Sequence, residues 1–381
     1  MNTIPYGRQS IDDADIQSVV SVLKSDWITQ GPVIEQFERT IADYAGVRYA
    51  VAFSSGTAAL HGAMHVAGVK SGKEVITSPV TFLATPNSAI YCGGLPVFVD
   101  IDPETYCLNT EKIAGNISSK TKVIAPVDMA GYPVDIRSIL DDARDHDCVV
   151  IEDAAHALGA CRDGKKVGCA ADMTMFSFHP VKHITTGEGG IIVTNNEEYA
   201  EQLRIFRNHG ITKDPKYLTK NDGPWYYEMQ DLGYNLRITD IQCALGLSQM
   251  QKLEKFIDRR NAIALKYNDA FLQHPNIRIP PQAPNGSRHA YHIYPLILKG
   301  ISRKDLFLKL REKGILCQVQ YIPVYRQPYY QKMFGFKNEN FPVSEWYYEN
   351  EITIPLFPKM SDDDVTTVID AVTEIVGRIT G

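Results

Sequence analysis

The chain has 381 residues, 44% hydrophobic and 22% charged, with 39 basic against 45 acidic side chains. That is about two to three domains' worth of chain, enough to bury a large core without disulfides or metals. The net charge of −6 leaves no basic excess for a nucleic-acid backbone or an anionic membrane surface, but it permits a local site for a phosphate-bearing small molecule.

Along the chain, Met1–Ile11 has no apolar signal core, and the seven cysteines (92, 107, 148, 161, 169, 243 and 317) contain no Cys-x-x-Cys pair. Neither a zinc site nor a disulfide framework is expected, so the expectation is a soluble cytoplasmic protein. Seven short β-branched runs follow: Tyr49–Phe53, Glu74–Thr77, Pro96–Val99, Lys122–Val127, Cys148–Glu152, Met173–Phe178 and Gly190–Thr194. Each is apolar without strict alternation, as in strands buried on both faces. Helical signals lie between several of them, in Ala-rich Thr57–Ala67 and in Val134–Asp147 with its Ile136, Ile139, Leu140 and Ala143 stripe. The uncharged stretch Val75–Val99 is broken by Pro79, Pro86, Pro96 and Gly93–Gly94, so it reads as strand–turn–helix–turn–strand, not a membrane span. The pattern predicts an α/β fold with a seven-stranded, mostly parallel sheet.

Beyond Asn195 the spacing predicts a helix over Glu197–His209, a polar and aromatic loop over Gly210–Gly233, and one long helix over Ile238–Gln273 with Gly246 as its candidate kink. A smaller α+β unit follows, with strands at His292–Leu298 and Leu316–Tyr321 and helices at Arg303–Lys313 and Asp362–Ile379. The expected division is a large cofactor-binding domain with an N-terminal arm, 1–245, and a smaller domain, 246–381.

Asp153 ends a buried strand, where α/β folds bind ligands, and Lys182 lies just beyond the end of another. A pyridoxal phosphate enzyme needs such a pair: a lysine that forms a Schiff base and a carboxylate against the pyridine nitrogen. Either residue alone reads better as a strand-end acid or a surface lysine. Strand Tyr49–Phe53 runs into Ser54–Ser55–Gly56–Thr57 and a helix, and such a turn presents free N–H groups to an anion, with Ser177 as a neighbouring donor. Alone, it reads better as an ordinary helix cap.

Together these elements carry a resemblance. The segments Ser55–Leu60, Thr81–Thr85, Glu152–His156, Ser177–Lys182 and Gly233–Arg237 resemble the DegT/StrS family of nucleotide-sugar aminotransferases over nearly the whole chain. The resemblance implies the pyridoxal phosphate fold-type I architecture and assigns Lys182 as Schiff-base lysine and proton shuttle, with Asp153 on the pyridine nitrogen. It places Phe82 on the cofactor face, His156 near the phenolic oxygen, and Ser55, Gly56, Thr57 and Ser177 at the phosphate. Asn235 matches a residue that reaches the phosphate in the other subunit, which implies a homodimer with shared sites. Tyr6, Arg237, Tyr321 and Tyr325 match sugar-nucleotide positions. A dehydrating branch of the family has histidine in place of the lysine; Lys182 favours amino transfer, and His183 reads as a loop histidine.

The resemblance further implies L-glutamate as donor and a UDP-linked keto-sugar as acceptor. Val127–Asp128, with Asp128 where the family usually has histidine, and Ile184–Thr185–Thr186 look like the subgroup that aminates the 4-keto carbon of a UDP-linked 6-deoxy-N-acetylhexosamine in pseudaminic acid synthesis. Alternatives are a 3-keto or dTDP- or GDP-linked substrate, a non-catalytic cofactor- or sugar-nucleotide-binding regulator, and a desulfurase using Cys243 or Cys317. Gly159–Lys166 is nearly a P-loop but lacks its Ser or Thr, and reads as a hairpin turn. His61 and His65 have zinc-like spacing without further ligands, so no metal is expected. Lys252, Lys255, Arg259 and Arg260 beside Glu254 and Asp258 read as a solvated helix face.

Overall fold

The computed structural model describes residues 3–380. Two helices that the periodicity does not announce precede the sheet. Helix α1 (Asp13–Leu23) opens with a reciprocal cap between Asp12 and Asp15. Helix α2 (Pro32–Ala45) has proline in its first turn and stops at Gly46, whose φ of 74° suits glycine.

The central sheet contains β1 (Tyr49–Phe53), β2 (Glu74–Thr77), β3 (Leu95–Phe98), β4 (Thr121–Ala125), β5 (Val149–Asp153), β6 (Met173–Ser177) and β7 (Gly190–Thr194). Their spatial order is β1-β7-β6-β5-β4-β2-β3. Strand β7 runs antiparallel to both neighbours, and the remaining pairs are parallel. The expected mostly parallel seven-stranded sheet is present. Its apolar runs have a direct cause. Ala50, Ala52, Ile191 and Val193 pack with Phe37 and Ile41 of α2 on one face, while Val51, Phe53 and Ile192 pack with Leu60 and Met64 on the other. Burying each such Val, Leu, Ile or Phe contributes roughly 1.5–3 kcal/mol. Helices α3 (Gly56–Val66), α4 (Ala84–Tyr91), α5 (Ile136–Asp145) and α6 (Glu197–Phe206) complete the layers.

The expected single helix over Ile238–Gln273 is two helices, α7 (Asp240–Met250) and α8 (Leu253–Phe271). Gly246 does not break it. A side chain there would meet Phe37 Cε2 at 2.6 Å, so glycine lets α7 press against α2. The break falls at Gln251–Lys252, where Lys252 Nζ is held 2.8 Å from Asp12 and 2.7 Å from Asp15. The expected division after residue 245 falls inside α7.

Downstream, a three-stranded antiparallel sheet pairs β8 (Ile277–Arg278), β9 (Tyr294–Leu298) and β10 (Glu351–Ile354). The expected strand at Leu316–Tyr321 is instead extended chain with one bridge, Gln318 to Thr353. Helices α9 (Arg303–Glu312), α10 (Pro328–Phe334), α11 (Pro342–Asn350) and α12 (Asp362–Thr380) surround it. Ile4 is buried in this C-terminal core, its N–H donating to the Gly314 carbonyl at 2.9 Å. Tyr6 accepts from the Leu356 N–H at 3.1 Å. The start of the chain is thereby strapped beside the carboxyl ends of the sheet. Among the described residues no helix is long and apolar enough to cross a membrane.

Candidate active site

The carboxyl ends of β4, β5 and β6, the start of α3, the N-terminal strap and the segment around Tyr321 enclose a cavity of about 560 Å³. Parallel strands end there because every helical crossover returns to the opposite edge, which is why such folds bind ligands at this rim. Ten sequence-expected residues line it: Tyr6, Ser55, Gly56, Thr57, Phe82, Asp153, His156, Ser177, Lys182 and Tyr321.

At the α3 end, Ser55 has extended backbone (φ −161°) and its hydroxyl accepts from the Ala58 N–H at 3.1 Å. The register pairs Gly190 with both Phe53 and Ser177. A side chain on Gly190 would stand 2.5 Å from the Gly56 backbone, so glycine allows β7 to approach the helix start. A Cβ on Gly56 would lie 3.4 Å from the Ser177 hydroxyl oxygen. Four residues from two distant segments thus form one cradle of hydroxyls and helix-terminal N–H groups.

Asp153 is 5% exposed. One carboxylate oxygen accepts from the Ala155 N–H at 3.1 Å and the other from the Thr85 hydroxyl. Burial pushes its pKa above the usual carboxylate range, opposed by those two donors and by the Lys182 charge. Burial brings the Lys182 ammonium down to about 8; Asp153 raises it and Arg260 lowers it further. His156 is buried, with Nε2 3.1 Å from the Tyr321 hydroxyl and Nδ1 without a partner. Burial first, then the Lys182 and His183 charges, push it well below the usual histidine range. Phe82 is 60% exposed at the cavity mouth, its ring 6.1 Å from that of Tyr321.

Three expected residues lie elsewhere. Tyr325 is fully buried, stacked on Phe341 at 4.5 Å, and donates its hydroxyl to Glu345 at 2.6 Å. It is buried in the core and does not line the cavity. Asn235 is exposed and bridges Asn208 outside the cavity. Arg237 donates to Asn208 at 2.6 Å and lines a separate groove of about 330 Å³ with Arg204, Arg207 and Lys213. Neither reaches the cavity of its own chain.

Sequence reasoning passed over several residues. Thr85 lies on the helix expected within Val75–Val99, but its contact to Asp153, 68 residues away, leaves no trace in the local pattern. His292, the first residue of an expected strand, lines the cavity, as do Thr81, Glu188 and Gln320. His183 lies in the loop after β6, as expected, but is buried there, 2% exposed and 5.6 Å from the His292 ring. Arg260, expected on a solvated face, is 1% exposed. His65 pairs with Asp231 at 2.7 Å, and His61 packs among Tyr91, Phe206 and Tyr234. Among the described residues no group of three His, Cys, Asp or Glu side chains could hold a metal ion. Gly159–Lys166 contains the antiparallel pair Cys161–Arg162 and Lys165–Lys166, a hairpin.

Comparisons with known proteins agree with this architecture. The spore coat polysaccharide biosynthesis protein SpsC of Bacillus subtilis is 40% identical over 98% of this chain and 97% of its own. The UDP-4-amino-4,6-dideoxy-N-acetyl-beta-L-altrosamine transaminase of Campylobacter jejuni is 35% identical over 99% and 98%. The solved PLP-form of the putative sugar aminotransferase Spr1654 from Streptococcus pneumoniae superposes with a TM-score of 0.92 at 30% identity, covering 99% of this chain and 100% of that one. The fold is therefore that of the fold-type I aminotransferases. The DegT/DnrJ/EryC1/StrS aminotransferase profile matches residues 9–373, and the chain belongs to that family.

Proposed function

We propose that this chain is a pyridoxal phosphate-dependent aminotransferase that moves the amino group of L-glutamate onto a nucleotide-linked keto-sugar. The observation that carries the reading is the convergence, in one cavity, of a buried strand-end carboxylate, a lysine lowered to about 8 and a hydroxyl-lined helix start. The residues fit the cofactor on the structure's own terms. The Ser55–Gly56–Thr57–Ser177 cradle offers donors to a phosphate, His156 has an unpartnered buried nitrogen, and an exposed aromatic ring stands at the mouth.

When bound, pyridoxal phosphate supplies an electron sink that accepts an amino group and returns it. Lys182 would hold it covalently and, once free, carry a proton at Nζ between donor carbon and cofactor carbon. Its lowered pKa keeps a useful fraction of neutral amine near pH 8. Asp153, fixed by Thr85 and Ala155, would face the pyridine nitrogen and keep it protonated. His156, held by Tyr321, would meet the phenolic oxygen, and Phe82 would cover the ring face. Tyr6 and Tyr321, on the opposite wall, would meet the sugar nucleotide. Asn235 and Arg237 face away from their own cavity, so we assign them to the cavity of a second copy in a homodimer.

For the acceptor we propose a UDP-linked 4-keto-6-deoxy-N-acetylhexosamine, aminated at carbon 4. The likeness to the Campylobacter transaminase over 99% of the chain supports it. A second reading, another keto-sugar of a surface polysaccharide, is favoured by the higher identity to SpsC. A panel of UDP- and dTDP-linked 4-keto and 3-keto sugars with glutamate separates them, following 2-oxoglutarate and mapping the aminated carbon. The UDP-4-keto-6-deoxy-N-acetylhexosamine should be converted best. Conversion of a 3-keto sugar alone would overturn the acceptor and leave the aminotransferase reading intact.

A further inference from the structure

Lys182 Nζ lies 3.5 Å from Nε2 of His292, at the outer limit of hydrogen bonding. His292 is 4% exposed, and its other ring nitrogen is buried without a partner. Burial, then the charges of Lys182, His156, His183 and Arg260, push it well below the usual histidine range, so the ring is neutral and one nitrogen can accept. Its ring centroid is 4.3 Å from that of His156.

The backbone that carries this ring is strained and tied on both sides. Tyr291 has φ 45° and Ala130, its neighbour across the turn, φ 60°. Non-glycine residues in that region cost about 1–3 kcal/mol and persist where surrounding contacts over-determine them. Here the Ala290 and His292 N–H groups donate to Gly131 and Ala130 carbonyls at 3.0 and 2.9 Å, and the Tyr291 N–H donates to His289 Nδ1 at 2.8 Å. From the other side, Arg260 Nη1 donates to the carbonyls of Tyr291, His292 and Leu356 at 3.1, 3.0 and 3.2 Å. A fully buried guanidinium spent on three carbonyls is costly unless it fixes something of value.

We propose that His292 is a positioning residue for Lys182: its Nε2 accepts one N–H of the free ε-amine and turns the lone pair toward the cavity, while Arg260 clamps the turn that aims the ring. The proposal rests on the reading of Lys182 as the cofactor-bearing lysine.

Two full-length variants test it. His292→Gln keeps an acceptor at about the same reach, and His292→Met removes it. In chain stripped of cofactor and remixed with pyridoxal phosphate, His292→Met should slow covalent attachment about tenfold, and His292→Gln should stay within about threefold of the parent. With glutamate, His292→Met should lower kcat about tenfold at unchanged KM and enlarge the isotope effect of α-deuterated glutamate, with His292→Gln again rescuing. Should His292→Met fail to fold, His292→Asn, whose amide is too short, takes its place. Attachment and kcat near parental values in the acceptor-free variant would overturn the proposal. Equal losses in the Gln and acceptor-free variants, with no change in isotope effect, would overturn it too. A reducible covalent adduct still forming in Lys182→Ala would instead sink the cofactor-lysine reading itself.

Discussion

The strand-end wall and the 210–237 segment keep their polar groups in opposite ways. On the wall, Asp153, His156 and Lys182 are each tied by a partner from a distant part of the chain, Thr85, Tyr321 and His292. The 210–237 segment satisfies many of its polar groups within itself, although Asp231 reaches His65 and Tyr217 reaches Glu201. Ile211–Thr212 pairs with Glu228–Met229, and Glu228 collects Thr219 and Tyr226. Several of its apolar side chains are left outside, with Trp225 71%, Leu232 64% and Met229 60% exposed. A group fixed by the core acts where the core aims it. A group exposed on that segment acts on whatever covers it, which in our reading is a second copy. Wall residues should therefore be needed within their own chain, and Asn235 in its partner.

Four perturbations break or sharpen that contrast. Lys182→Ala should cut amino transfer by about 10³-fold or more, measured as 2-oxoglutarate formed, with the fold retained by circular dichroism. Next is acid. His156 and His292 stay neutral in the folded chain well below the usual range, while the unfolded chain takes up protons near 6.5. Their depressed values mean that stability is full above about 6.5 and falls as pH drops below it, by up to about 1.4 kcal/mol per pH unit for each histidine. Urea unfolding of cofactor-free chain at pH 7 and pH 5.5 measures this, and unchanged stability would contradict the buried neutral pair. Third, Asn235→Ala should weaken cofactor affinity about tenfold, the loss of one hydrogen bond to a charged group. Co-assembly with Lys182→Ala chains should restore half-sites of parental affinity, whereas a residue acting within its own chain would show no rescue. The smallest effect is Tyr325→Phe. It should cost about 1 kcal/mol of stability through the lost bond to Glu345 and leave every KM unchanged.

The sheet and the Asp153–Lys182 pair were legible because buried parallel strands need uninterrupted apolar runs, and because a run's last residue marks the rim. The unannounced elements lacked such a signature. Helices α1 and α2 are fixed by packing against α7, about 200 residues further along the chain. The break between α7 and α8 is tied by Lys252 to Asp15, 237 residues earlier. His292 meets Lys182 across 110 residues and Arg260 meets His292 across 32, contacts with no local periodicity. Tyr325 lies away from the cavity because a motif position gives residue type but not which way the ring turns; here it packs on Phe98 and Phe341.

The most direct test is to load the chain with pyridoxal phosphate, reduce it with borohydride, and map the modified peptide by mass spectrometry. A single phosphopyridoxyl adduct on Lys182 is the expected result. An adduct on another lysine, or none, would contradict the assignment of the cavity.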